Sequence, residues 1–301
     1  MAATTHPGER RPGIAPGEPP AAPDTATEAP GQGQAESTGN PERPRPPATA
    51  QPRRYPQDDV HLADQDPEGL YFVGRHQCVL QGQLAKACYE DRSEAVVSRR
   101  VHRWLRAGIV GLDRFLAMGC NQLWLTVRGS RLLVNHGHAE EDDLFPRTRP
   151  IAAKDLGHHL AIVDLCVLAR RGIPFSAASI LPDWVTRRGM DPAPPVVPDL
   201  LLVAPPRHGQ RARIVAYEVD LGTESVKGVF QVKLEKEAAW LLTYASGGIA
   251  RIVILTRGVS RAEALRRAVA DLPVPVVVEL LPKASGRASL AALEKLLLSK
   301  T

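Results

Sequence analysis

The sequence predicts an α/β protein with a small basic unit followed by a larger mixed-sheet unit. Three observations predict it. A helical apolar stripe over residues 93–107 carries a basic opposite face and is followed by two strand-like runs. From about residue 153 onward, aliphatic strand-like runs alternate with helical segments. The first 56 residues, by contrast, hold close to half of the 27 prolines, and their only large aliphatic residues are Met1 and Ile14.

That opening segment cannot bury enough apolar surface to offset its ordering entropy, so residues 1–56 are expected to be a disordered tail. The first ordered unit is read over 57–138. Leu80–Tyr89 has the pattern of a short helix. Ser93 suits an N-cap for a longer helix that runs to about Ala107 and stops at Gly108. Ile109–Phe115 and Gln122–Thr126 alternate as strands, with a turn around Gly119, Cys120 and Asn121. A short helix is expected over Thr126–Val134. Residues 139–152 are acidic and then proline-containing, and read as a linker.

The second unit is read over 153–301. Gly157–Arg171 has helical spacing. Strands follow at Phe175–Leu181, Val196–Ala204 and Arg213–Leu221, then a helix over Ser225–Ala245. A strand at Ala250–Thr256, a helix at Arg261–Asp271, a strand at Val274–Leu281 and a helix at Leu290–Ser299 complete it. The order α-β-β-β-α-β, then α-β-α, implies a mixed sheet covered by helices. No internal repeat is visible.

Composition excludes several classes. The 301 residues give room for about two domains. No run of about 18 apolar residues occurs, so no membrane span is expected, and the N-terminus lacks the apolar core of a secretory signal. Cys78, Cys88, Cys120 and Cys166 lie far apart with no Cys-x-x-Cys pair, against both a zinc ribbon and a disulfide framework. Reduced thiols in a cytoplasmic protein are the expectation. The net charge of +5 permits a nucleic-acid partner without demanding one. Walker, dinucleotide-binding and nucleophile-elbow patterns are absent, which argues against ATP, NAD and serine-hydrolase chemistry.

In the 93–107 helix, Val97, Val101, Trp104 and Leu105 fall on one stripe, while Arg99, His102, Arg103 and Arg106 fall on the other face. A short helix, a tight turn, a basic helix and two wing strands describe a winged helix-turn-helix. One face locks to the core, and the other presents cations to phosphates and base edges in a DNA major groove. A solvated amphipathic helix is the plainer alternative.

In the second unit, Asp199 follows Pro198, and Glu218 and Asp220 stand two apart on one strand face. Two strands paired as a hairpin would gather all three carboxylates. Hard oxygen donors of this kind suit Mg²⁺ or Mn²⁺, which can activate water and offset charge at a phosphodiester. Spacing alone leaves solvent-facing acids on an edge strand equally open.

These residues resemble the PD-(D/E)XK phosphodiesterase superfamily, and more particularly the replication-relaxation family, which joins a winged helix to a domain of that fold. The resemblance spans roughly residues 70–245. It rests on Gly157-His158-His159-Leu160 with Asp164, on Trp184, on Pro198-Asp199, on Glu218-Val219-Asp220 with Gly222-Thr223-Glu224-Ser225, and on Lys236 four residues before Trp240. It implies a role in replication, relaxation or mobilisation of plasmid or mobile-element DNA. Double-stranded DNA and replication or mobilisation proteins are the implied partners, and a homodimer is compatible with it. The superfamily places a lysine where this chain has Asp220. Lys236 is the expected replacement, with Lys233 and Lys227 as weaker ones. Catalysis is therefore assigned to Asp199, Glu218, Asp220 and Lys236, and metal to the three acids. Alternatives are a Mg²⁺-dependent endonuclease or nickase, and a transcriptional regulator with an inactive nuclease-like domain.

Overall fold

The computed structural model of the chain describes residues 62–115, 120–173, 177, 179–189, 194–206, 211–222, 225–245, 247–282 and 287–298. The proline-rich tail read over 1–56 lies outside the described residues, as do Gly119, Thr223 and Glu224.

The first elements are α1 (Asp66–Arg75), β1 (Val79–Leu80), α2 (Gln81–Cys88), α3 (Glu94–Arg106), β2 (Val110–Phe115), β3 (Cys120–Leu125) and α4 (Val127–Asn135). The sequence reading contains neither α1 nor β1, because Pro67 and Gly69 look like punctuation. Proline in a first helical turn forfeits only an N–H that has no helical partner. At Gly69 a Cβ would lie 2.1 Å from the Tyr89 hydroxyl and 2.9 Å from the Trp104 ring, so close packing requires the glycine. Ser93 begins α3 as read, through its carbonyl, which accepts the N–H groups of Val96 and Val97. Val97, Val101 and Trp104 are buried, and Gly108 ends the helix with φ at +69°. The strands form an antiparallel sheet in the order β1-β3-β2. Pairing of β2 with β3 continues to Phe115 opposite Cys120, so Cys120 and Asn121 are strand rather than turn residues.

Within residues 139–152 several groups are tied to the fold while others are exposed. Phe145 N–H donates to the Gly74 carbonyl at 2.9 Å and Arg147 N–H to the Leu125 carbonyl at 2.8 Å. Leu144 and Ile151 are buried.

There follow α5 (Ala153–Arg170), β4 (Ser179–Pro182), α6 (Asp183–Gly189), β5 (Leu200–Ala204), β6 (Arg213–Asp220), α7 (Gln231–Ala245), β7 (Ile249–Thr256), α8 (Val259–Ala268), β8 (Val276–Leu280) and α9 (Arg287–Leu298). The second sheet is mixed, in the order β4-β5-β6-β7-β8. β4, β5 and β6 pair antiparallel, whereas β6, β7 and β8 pair parallel because helices α7 and α8 return the chain. Side-chain alternation divides the core. Leu200, Leu202, Tyr217, Val219, Val253 and Leu255 pack toward α5 and α9. Leu201, Ile214, Ala216, Ile252 and Ile254 pack toward α7 and α8.

The first core continues into the N-terminal elements through Leu70, Val97, Trp104 and Leu123. Polar bonds cross the same seam. Nε2 of His159 lies 3.0 and 2.9 Å from the carbonyls of His76 and Cys78, and Trp184 Nε1–H donates to Arg75 at 2.9 Å. Gln83 donates to the Leu160 carbonyl and to Asp164. Residues 54–301 accordingly form one compact unit. Among the described residues Cys78, Cys88 and Cys166 are unbridged, and no helix is long and apolar enough to cross a membrane.

Candidate functional site

The antiparallel register of β5 and β6 sets Leu200 opposite Tyr217, so Asp199, one residue earlier, falls beside Glu218. The Asp199 carboxylate also accepts the Val219 N–H at 2.7 Å, which fixes it against β6. From α5, Nε2 of His158 approaches the same carboxylate at 3.0 Å. Glu218 is 1% exposed and Asp199 8%, so both acids are withdrawn from bulk water.

Helix α7 supplies the cation. The irregular turn Val226–Phe230 precedes it, with Gly228 at φ +96° and Phe230 buried beneath. A left-handed backbone at Gly228 costs glycine little, and it sets the phase with which α7 meets the sheet. In that phase Lys233 faces inward and its Nζ pairs with Glu218 Oε2. One turn later, Glu237 is fully buried against the same cluster. Glu218 Oε1 and both carboxyl oxygens of Glu237 lack hydrogen-bond donors.

Burial dominates the electrostatics. It raises the Asp199 carboxyl above its ordinary value, against the pull of Lys233 and His158. Burial, then the charges of Asp199 and Glu237, push Glu218 well above its ordinary value. Burial also pushes Glu237 up to about 7. Like charges placed as Glu218 and Glu237 are cannot both ionise cheaply. For Lys233 burial opposes the charged amine, but Glu218 and Asp199 overcome it and the group stays protonated.

Asp220 does a different job. Its carboxylate accepts Thr256 Oγ1–H at 2.7 Å, Gly222 N–H at 3.0 Å and two guanidinium N–H groups of Arg261 at 2.5 and 2.8 Å. Burial opposes ionisation there, but Arg261, Thr256 and Gly222 outweigh it and hold the carboxyl below its ordinary value. Its lone pairs are committed, and it ties β6 to α8 instead of turning to Asp199.

The structure thus gathers Asp199 and Glu218, gives Asp220 another set of partners, and leaves Lys236 exposed on α7. Lys227 is also exposed. Lys233, read as a weaker substitute, is the amine at the acids. Glu237 was missed altogether. Its signal was present: an acid at i+4 from Lys233 among the apolar Leu234, Ala238 and Leu241. On α3, Arg99, His102, Arg103 and Arg106 are all exposed. Arg103 is paired with Asp66, which is wholly buried and also receives Arg100 at 2.6 Å.

A cleft of about 1080 Å³ opens onto the acids. Its walls include Asp113 and Gln122 from β2 and β3, the segment Arg147–Lys154, His158, Trp184 and Lys233. Among the described residues no group of three or more His, Cys, Asp or Glu side chains is arranged to hold a metal ion. A hard cation such as Mg²⁺ or Mn²⁺ would find Asp199 and Glu218 as its oxygen donors there. Mg²⁺ is commonly held by one or two carboxylates, with water and substrate phosphate completing the shell, and Glu218 Oε1 has no competing donor. No protein-family model, curated protein or solved structure matches the chain.

Proposed function

We propose that this protein binds DNA and cleaves its phosphodiester backbone with metal assistance, as an endonuclease or nickase. The observation that carries this reading is Lys233 paired with Glu218 beside Asp199 at the floor of the cleft. Asp199, Glu218 and Lys233 lie together, which supports reading them as the acid-acid-lysine set that the PD-(D/E)XK resemblance calls for, with the lysine supplied by α7 instead of β6. Asp199 and Glu218 would hold Mg²⁺ or Mn²⁺, which supplies an activated water and offsets charge on the phosphate. Lys233 contributes a fixed positive charge against the developing negative charge of the phosphate oxygens. His158 braces Asp199 from α5.

The DNA-reading half of the proposal draws its support from α2, α3 and the three-stranded β1-β3-β2 sheet. Arg99, His102 and Arg106 are exposed and positioned to meet phosphates or base edges. Following the sequence resemblance, the role proposed is replication, relaxation or mobilisation of plasmid or mobile-element DNA.

A second reading, binding without cleavage, is favoured by one feature: Lys233 already neutralises Glu218. Supercoiled plasmid with Mg²⁺ or Mn²⁺ separates the two. Cleavage predicts nicked or linear product from the wild type and none from Asp199→Ala, Glu218→Ala or Lys233→Met. Intact plasmid and an intact single-strand-tailed duplex at every metal concentration, with DNA still bound, would leave only the binding reading.

A further inference from the structure

We infer that the strand admitted to the acid site is single, so the preferred DNA carries a duplex–single-strand junction; this rests on the phosphodiesterase reading above. The acids are nearly buried, with Glu218 1% and Asp199 8% exposed. They are reached through the cleft of about 1080 Å³. Pockets for small ligands span roughly 300–1,000 Å³, so the cleft has the size of a site for a small ligand or a short piece of one strand, not for a duplex. A duplex is convex and rigid, and its phosphates lie on its outer rim. It can touch the mouth of such a cleft but cannot lower a phosphate to the floor. A strand freed from its complement can.

The cleft walls suit such a strand. Single-strand sites combine cations that track the backbone with flat groups on which bases stack. Arg147, Arg149 and Lys154 line one wall, and His158 faces the interior. Arg147 is oriented by Gln77 Oε1 at 3.0 Å and by the Arg149 carbonyl at 3.2 Å. Among the described residues Arg149 and Lys154 have no acidic partner, so their charge is available to phosphate. Asp113 and Gln122 bring β2 and β3 to the same cleft. A duplex docked on α3 and the β2–β3 pair would therefore deliver its unpaired strand directly to the opening.

Fluorescence anisotropy on the full chain tests this, in chelator so that nothing is cut. The probes are a blunt duplex and the same duplex with a short single-stranded tail. The tailed probe should bind about tenfold tighter. Arg149→Ala with Lys154→Ala should remove that preference and leave blunt-duplex affinity unchanged. For the tailed probe it should also make the slope of log K against log salt shallower by about 1.4, at about 0.7 per lost phosphate contact. Equal binding of both probes by the wild type would overturn the inference, as would equal weakening of both by the double variant. The tailed duplex incubated with Mg²⁺ or Mn²⁺ reports separately on cleavage. Cleavage without tail preference sinks only this inference, and tail preference without cleavage of the tail sinks only the cleavage reading.

Discussion

Lys233 and Glu237 stand one helical turn apart, and that spacing decides what the buried cluster can do. Replacing Lys233 with Met removes the cation paired with Glu218. Plasmid nicking should fall by about 10²-fold or more, the usual cost of losing one charge-stabilising donor. Breaking a buried ion pair should also cost about 3 kcal/mol in urea unfolding at alkaline pH. That cost should shrink in acid, where Glu218 takes a proton. Glu237 predicts the opposite sign. Its folded value of about 7 lies above its ordinary 4.5, so the folded state holds the proton more tightly than the unfolded chain. Its contribution is favourable below pH 4.5 and is lost as pH rises toward 7, by up to ~3 kcal/mol. Measured in chelator, Glu237→Gln should match the wild type in acid and exceed its stability above neutrality. An identical pH profile for both proteins would show that Glu237 is not held protonated. Asp199 and Glu218 were legible in the sequence because strand pairing follows from alternation. The choice between Lys233 and Lys236 was not. Both lie on one amphipathic helix, and its rotation depends on a turn whose geometry no periodicity encodes.

At the scale of elements, two short segments set the working parts in place. The turn at Val226–Phe230 phases α7, and Gly228→Ala forces an L-residue to φ +96°. That should cost about 1 kcal/mol or more and lower nicking more than stability alone explains, as Lys233 rotates away from Glu218. Asp66 at the start of α1 anchors α3 through Arg100 and Arg103. Asp66→Asn should cost about 3 kcal/mol in unfolding and weaken DNA binding by anisotropy, even though residue 66 is far from solvent. Undiminished affinity would mean that α3 does not carry the DNA. This anchor was invisible beforehand because α1 itself was. A proline and a glycine inside a short helix imitate a loop until Tyr89 and Trp104 are seen to need the space. In the large sheet β6 and β7 were legible to within one residue and β8 to within two, since uninterrupted aliphatic runs have few other uses, whereas β4 and β5 begin at Ser179 and Leu200, four residues later than the sequence suggests.

At the scale of the whole molecule, one core runs from α3 through α5 to the large sheet. His159 and Trp184 hydrogen-bond the backbone after α1, and residues 144–147 are stitched to α1 and β3. Residues 54–301 should therefore melt in a single cooperative transition, with circular dichroism and tryptophan fluorescence superimposing. A fragment ending at residue 150 should fail to fold, because its core loses α5. Two separate transitions would contradict that coupling. The sequence does not disclose this union, because proline and acid content describe a segment's composition and not which carbonyls its N–H groups find.

The different partners of Asp220 and Lys233 have an evolutionary consequence. Asp220 fastens β6 to Arg261 and Thr256. The amine that pairs with Glu218 sits on α7, whose Leu234, Ala238 and Leu241 are packed against the sheet. Cation and strand anchorage are thus assigned to different residues, so a substitution at position 233 can change the charge beside Glu218 without touching the bonds that hold Asp220.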